Sequence, residues 1–379
     1  MSGAGPLLPP AMLGVLGGGQ LGRYFVMAAR RMGYRVTVLD PDGASPAASL
    51  ADRHLAAAYD DADALDELAR TCAAVTTEFE NVPAQSLERL ARSIRVAPAP
   101  SCVRIAQDRI LEKRFLESQG VPVGAWHAVE SEADLARSAS YPGILKRARF
   151  GYDGKGQTRV ADAAQARAAW EAKSRVPCVL EALLPLDLEV SVVLARSASG
   201  EVRAYPLAEN RHRNGTLDVS LAPARLASAL TAQALEVAAH LAHSLGYVGV
   251  LAVEFFVSGG RLYANEMAPR PHNSGHYTID ACNADQFEQQ VRALAGLPLA
   301  DPCLLSPACM VNLLGELWEN GEPDWLAILG APQTALHLYG KRRARAGRKM
   351  GHFTVLDADR DAALARALSL RARLGIGDG

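Results

Sequence analysis

The chain has 379 residues, more than one hydrophobic core usually serves, so two or three domains are expected and there is ample length for an enzyme. Lys and Arg total 40 against 41 Asp and Glu, a formal charge of -1 that excludes a global field recruiting nucleic acid or an anionic membrane. The 6 cysteines form no C-x-x-C pair and no His/Cys metal spacing, and no apolar run is long enough to span a bilayer. These features read as a reduced, cytoplasmic protein, with Asn214-Gly215-Thr216 left unglycosylated.

The opening "MSGAGPLLPPAMLG" lacks a basic start and is broken by prolines, so it reads as a loose tail rather than a secretory signal. From Met12 to about Val96, the runs "LGVLG", "RVTVLD", "AAVTTEFE" and "IRVAP" alternate with helix-like segments, the pattern of a parallel sheet wrapped by helices. Gly17, Gly19 and Gly22 fall as G-x-G-x-x-G between the first strand and its helix, and Asp40 ends the next strand. Glycines let the backbone approach a ligand, and a helix N-terminus offers free N–H groups to an anion, so a dinucleotide or another phosphate suits the loop. Acidic "DDAD" at 60–63 reads as a helix N-terminal turn.

"CVRIAQDRILEKRFLESQG" reads as one amphipathic helix stopped by Gly120, which closes a first domain of residues 1–120. Residues 121–195 read as a small α+β module: strands at "GILKRA", "QTRV" and "CVLEALL" surround one helix, with the loop "FGYDGKGQ" between the first two. Residues 196–305 form a larger unit, with strands at "LEVSVVLARS" and "EVRAYPLAEN" around its start, a long helix near 225–245 and the hairpin "VLAVEFFVSGGRLYANEMAP". A last module, 306–379, holds the strands "TALHLYG" and "MGHFTVL" with a basic cluster between them.

The hairpin carries the sharpest chemistry. With Ser258-Gly259-Gly260 as its turn, Glu254 faces Ala264 and Glu266 is its diagonal neighbour, about 7 to 8 Å away at Cα. Two unpaired acids inside apolar strands repel and are costly to bury, and a divalent cation resolves that cost. Oxygen ligands shared with phosphates describe Mg²⁺, with Mn²⁺ as a substitute, better than zinc. Lys146, in the strand before the glycine-rich loop Phe150 to Gln157, suits a cover for a polyphosphate, although no Walker A loop is present. Lys341, Arg342, Arg343, Arg345, Arg348 and Lys349 make a local phosphate site, and Arg270, His272, Asn273, Ser274 and His276 of "PRPHNSGH" suit an anionic substrate. His240 and His243 read as a helix-surface pair rather than metal ligands.

In this order, "GVLGGGQLGR", "TTEFENVP", "QDRILEKRFL", "FGYDGKGQ", "VLEALLPLDLEVS", "AVEFF", "ANEMAPRPHNSGH" and "YGKRRARAGRKMGH" closely resemble the N5-carboxyaminoimidazole ribonucleotide synthetase family, from about Met12 to Val355. The resemblance implies an α/β, three-domain ATP-grasp fold: a Rossmann-like N-terminal domain, a small α+β lid, and a larger α+β domain with a C-terminal module. It implies a homodimer, and ATP- and Mg²⁺-dependent carboxylation of 5-aminoimidazole ribonucleotide by bicarbonate, through carboxyphosphate shielded from water by the flap. ATP is then expected at Arg109, Lys146, the loop Gly151, Tyr152, Asp153, Gly154, Lys155, Gly156 and Gln157, the hinge Glu181, Ala182, Leu183 and Leu184, and at Glu189 and His212. Glu254 and Glu266 become metal ligands with Asn273 beside them. The ribonucleotide is expected at Gly19, Gln20, Leu21, Glu78, Tyr152, Asn273, Ser274, Lys341, Arg348 and Lys349. Asp153, Lys146, Asn273 and Arg270 are the expected catalytic groups. Phe150 stands where many relatives carry a small residue. The competing readings are a formate-dependent glycinamide ribonucleotide transformylase, an NAD-dependent oxidoreductase and a non-catalytic ribonucleotide-binding protein.

Overall fold

A computed structural model describes residues 5–136, 141–151 and 156–377, so Tyr152, Asp153, Gly154 and Lys155 of the expected flap lie outside the described residues. The first sheet is wholly parallel, in the order Arg53–Leu55, Arg35–Leu39, Met12–Leu16, Ala74–Thr77, Arg95–Val96. Its inner strands are apolar on both faces because helices cover both. Strand order reverses between Met12–Leu16 and Ala74–Thr77, and the crevice beyond their C-terminal ends is where such sheets bind ligands. The glycine loop leaves the first of these strands and Glu78 leaves the second. Asp61 caps the helix Ala62–Thr71 by accepting from the Ala64 N–H at 2.9 Å, so "DDAD" is indeed a helix start.

The single helix expected over 102–120 is two, Pro100–Ala106 and Arg109–Ser118. Asp108 breaks it: its carboxylate accepts from the Ile110 N–H at 2.9 Å, and a cap this well placed starts a new helix. Gly120, at φ +70°, stops the second helix as expected. The second sheet is antiparallel, ordered Trp126–Val129, Cys178–Ala182, Gly143–Arg147, Gln157–Val160, with Trp170 of the helix Ala163–Ala172 buried against Leu145, Val160 and Leu180.

The strand Leu188–Arg196, read as opening the larger unit, lies in the large sheet, paired along its length with Gly249–Ser258. That puts the passage between the two sheets at 183–187. The strand expected at "EVRAYPLAEN" is broken at Pro206, which has no N–H to give a ladder; Val202–Ala204 and Ala208–Arg213 pair with different stretches of the same neighbour. The large sheet has nine strands and runs on without interruption into Ala308–Leu314, Lys349–Leu356 and Thr334–Leu338. The C-terminal helix Arg360–Arg373, unread in the sequence, covers that end with Ala363, Leu364, Ala367 and Leu370.

The helix Gln286–Ala295 joins the first sheet to the large one. Phe287, Val291 and Leu294 pack with Tyr24, Phe25 and Ala29 of the helix Gln20–Arg31, each large side chain contributing about 1.5–3 kcal/mol of burial. The crevice of the first sheet therefore opens onto the face of the large one. Five cysteines are buried, Cys303 is exposed and all are free, and no described helix is long and apolar enough to cross a membrane.

Candidate active site

At the glycine loop, the protein supplies an anion of its own. Glu78 accepts from the Gly19 N–H at 2.5 Å with Oε1 and from the Gly22 N–H at 2.6 Å with Oε2, at the positive end of the helix Gln20–Arg31. Burial pushes its carboxyl up, and the two N–H groups oppose that. The glycine spacing follows from this carboxylate: Gly17 sits at φ +109°, and a Cβ there would lie 2.2 Å from Glu78 Cγ. Asp40, read from the sequence only as the end of a strand, accepts from the Gly18 N–H and the Tyr59 hydroxyl, both at 2.7 Å, and so braces the loop. A dinucleotide would find both acids already committed to the loop's own N–H groups. Gln20 and Leu21, between the two occupied amides, line the open cleft.

The hairpin register differs from the expected one. Its turn is only Gly259-Gly260, both at positive φ, and Asn265 is left over as a bulge, so Phe255 faces Ala264 while Glu254 faces Glu266 directly. Arg109 Nη1 donates to Glu266 Oε2 at 2.8 Å and, although burial opposes it, holds that carboxyl down to about 2. Glu254 has no such partner; burial and the charge of Glu266 push it up to about 7. His272 Nε2 lies 3.3 Å from Glu254 Oε1, but burial beside Arg270 and Lys349 drops His272 to about 3, so it stays neutral. Because His272 Nδ1 accepts the Ser274 N–H, the ring proton sits on Nε2 and faces the acid.

On the second sheet, Lys146 Nζ donates to Glu181 Oε2 at 3.0 Å, and burial notwithstanding, Lys146, Lys113 and Arg109 hold Glu181 down to about 2. His212 Nδ1 is 2.9 Å from Glu189 Oε2; burial opposes its charge, yet Glu189 and Glu254 raise its pKa. Arg270 Nε donates to Glu80 Oε2 at 2.7 Å, and the Asn273 side-chain amide is paired with that of Asn312 rather than with the two acids.

One cleft of about 1340 Å³ collects most of the expected residues. Its walls include Gly19, Gln20, Leu21, Glu78, Arg109, Lys146, Gly151, Gln157, Glu181, Ala182, Leu183, Leu184, Glu189, His212, Glu254, Glu266, Arg270, Asn273 and Lys349. Gly156, Ser274, Lys341 and Arg348 are not in that lining. Ser274 is fully buried behind it, bonded to Ser191 and His272. Lys341 donates to the Gln20 side chain and to the Lys349 carbonyl, and Arg348 donates to the Arg343 carbonyl. Glu80, Glu112, Lys113, Asn265 and Asn312 went unread. For Glu112 and Lys113 a signal existed: they stand three and four residues after Arg109, on the same helix face.

His243 is an exposed helix residue bonded to the Ala239 and Gly200 carbonyls. Away from the cleft, Asp280, His337 and His352 bring ligand-type atoms within 4.8 Å of one another. The two imidazoles lie parallel, 14° apart at 4.5 Å, so lone pairs confined to the ring planes do not converge on one ion.

A parallel-sheet domain, a small antiparallel sheet and a large sheet closing one phosphate-suited cleft are the architecture of the ATP-grasp ligases. Family models match in the same order: the ribonucleotide synthetase preATP-grasp domain over residues 11–107, the ATP-grasp domain over 114–287 and the phosphoribosylaminoimidazole carboxylase C-terminal domain over 308–366. The chain is 47% identical over 355 residues to the N5-carboxyaminoimidazole ribonucleotide synthase of Brucella melitensis, spanning 92% of this chain and 97% of that protein. The chain belongs to the N5-carboxyaminoimidazole ribonucleotide synthase family. Its fold matches the Staphylococcus aureus synthetase complexed with ADP, at TM-score 0.91 and 36% identity over 98% of this chain and 99% of that one. It also matches the Aspergillus clavatus synthase in complex with ADP and 5-aminoimidazole ribonucleotide, at TM-score 0.88 and 31% identity over 96% and 98%.

Proposed function

We propose that the chain carboxylates 5-aminoimidazole ribonucleotide with bicarbonate, converting ATP to ADP and phosphate and giving N5-carboxyaminoimidazole ribonucleotide. The observation that carries this reading is the single cleft. Lys146, the hinge Glu181 to Leu184, and the facing Glu254 and Glu266 are one group of its lining residues, and Gln20, Leu21 and Lys349 are a second group, with Lys349 near enough to Glu254 to act on its charge. ATP at the first and the ribonucleotide at the second would meet with their reacting groups in one enclosure, as transfer through a water-sensitive carboxyphosphate requires.

The donor set fits Mg²⁺. Two carboxylates face each other with a guanidinium paired to Glu266 alone, and the buried Asn265 Oδ1 has no hydrogen-bond partner among the described residues. Held by Glu254 and Glu266, the ion would neutralise charge on the transferring phosphoryl group. Lys146 supplies a second cation to the same phosphates, oriented by its bond to Glu181. Arg109, Glu189 and His212 complete the nucleotide part of the reading, Arg270 and Asn273 the reacting centre, and Gln20, Leu21, Glu78 and Lys349 the ribonucleotide part, with Lys341 acting through Gln20. The homodimer implied by the family resemblance belongs to the same proposal.

The test is ADP release from Mg-ATP by the purified protein. Stimulation by 5-aminoimidazole ribonucleotide plus bicarbonate is expected. Equal stimulation by formate plus glycinamide ribonucleotide, or none by the first pair, overturns the assignment.

A further inference from the structure

The helix Arg109–Ser118 turns three side chains of one face, at positions i, i+3 and i+4, onto three consecutive residues of the strand Arg261–Ala268. Lys113 Nζ donates to the Asn265 carbonyl at 3.0 Å, Glu112 Oε1 accepts the Met267 N–H at 2.5 Å, and Arg109 grips the Glu266 carboxylate between them. Lys113 and Glu112 thus hold one group of each of the two peptide units that join Glu266 to its neighbours. Asn265 is the bulged residue, and without that bulge Glu254 would face Asn265 while Glu266 would pair with Val253, its side chain on the opposite face of the sheet.

Both side chains are about as buried as any in the protein, Glu112 at 2% and Lys113 at 1% exposure. Burying a lysine and a glutamate is costly, and apolar residues of similar volume would fill the space at less cost. The strand lies at the edge of the large sheet, so its outer side is held by the Pro122 carbonyl, which accepts the Ala264 N–H at 2.8 Å, and by these helix side chains. Lys113 also reaches Glu181 of the second sheet at 3.6 Å, which ties both walls of the cleft to one ammonium.

We propose that Glu112 and Lys113 are positioning residues for phosphoryl transfer: by locking the bulge at Asn265 they hold Glu266 opposite Glu254, at the spacing one divalent cation needs. This rests on the reading of that pair as cation ligands. Neither residue touches the ribonucleotide part of the cleft, so the effect is confined to the cation and the nucleotide phosphates.

The experiment compares Glu112→Leu, Glu112→Gln and Lys113→Met with the unaltered protein. Mn²⁺ binding in the presence of ADP is read by electron paramagnetic resonance, beside kcat, the KM for 5-aminoimidazole ribonucleotide and the thermal midpoint. Glu112→Leu and Lys113→Met are expected to weaken Mn²⁺ binding by about tenfold or more and to lower kcat, with the ribonucleotide KM within about twofold. Glu112→Gln, whose amide oxygen still accepts the Met267 N–H, restores most of the Mn²⁺ affinity. Unchanged Mn²⁺ binding with only a lowered midpoint overturns the proposal, as does a Glu112→Gln protein no better than Glu112→Leu. If Glu112→Leu does not fold, Lys113→Met decides by the same readings. Glu266→Gln separates the two layers: loss of Mn²⁺ there but not in the helix variants sinks the positioning role alone, and no loss in either sinks the cation reading beneath it.

Discussion

Two regions of this molecule hold partly buried carboxylates, and they do it in opposite ways. At the crevice of the first sheet, Glu78 has a backbone N–H for each oxygen, supplied by Gly19 and Gly22. In the hairpin, Glu254 and Glu266 face each other across two strands with Arg109 committed to only one of them. The first arrangement is complete without a ligand and does the work of folding the loop. The second leaves two acids facing each other, a repulsion that the divalent cation proposed above would relieve. Two acids facing each other thus call for an added positive charge in a way that a carboxylate satisfied at both oxygens does not.

The largest effect expected is on the incomplete side. Glu254→Gln should lower turnover by about 10²-fold or more, since a preorganised electrostatic partner is lost, while the thermal midpoint of the ligand-free protein holds or rises because like charges no longer face each other. Near-normal turnover would exclude Glu254 as a metal ligand, and a collapsed midpoint would make it a folding residue like Glu78. The complete side should respond in the reverse sense. Glu78→Gln presents an amide NH₂ to one of two N–H donors, leaving it buried and unsatisfied at a cost of about 2 kcal/mol. Urea denaturation of the ligand-free protein measures it, and an unchanged midpoint would mean that the loop does not depend on this carboxylate.

Much of the architecture was legible because its signals are local. Alternating strand and helix runs marked the parallel sheet, and Asp61 and Gly120 marked helix ends by their own chemistry. What went unread depends on contacts between distant residues. The glycine loop announced an anion, yet nothing near it says that Glu78, about sixty residues on, fills the place. The bulge at Asn265 was invisible for the same reason: it is held by Glu112 and Lys113, more than 150 residues earlier. Asp108 is the exception, a local cap overlooked inside an apparently continuous amphipathic pattern.

The basic cluster sharpens the comparison further, because it decides whether the crevice has room for a second anion beside Glu78. Lys349 lines the cleft, whereas Arg348, expected to grip the phosphate directly, donates to the Arg343 carbonyl. Lys349→Ala should therefore raise the KM for the ribonucleotide by about tenfold, the 1.4 kcal/mol of one charge-assisted contact, and Arg348→Ala by clearly less. The opposite order in steady-state kinetics would return the phosphate to Arg348 and move the ligand away from the crevice.

The smallest effect is expected at Phe150, on the cation side of the cleft, where opposing contributions nearly cancel. Its φ of +61° is left-handed, a conformation that costs a bulky residue about 1–2 kcal/mol. Glycine would relieve that strain but lose about 0.5–1 kcal/mol to the greater freedom of its unfolded chain. It would also give up the Arg149 guanidinium, 5.6 Å from the ring centre, a contact worth about 0.5–1 kcal/mol at an exposed site. Phe150→Gly should therefore leave stability within about 1 kcal/mol of its starting value by thermal unfolding. A loss well beyond that would mean that the ring, though 63% exposed, carries packing that the strain exists to maintain. Retained stability with a raised KM for ATP would instead place the ring against the nucleotide, and the tolerated strain would then serve binding rather than folding.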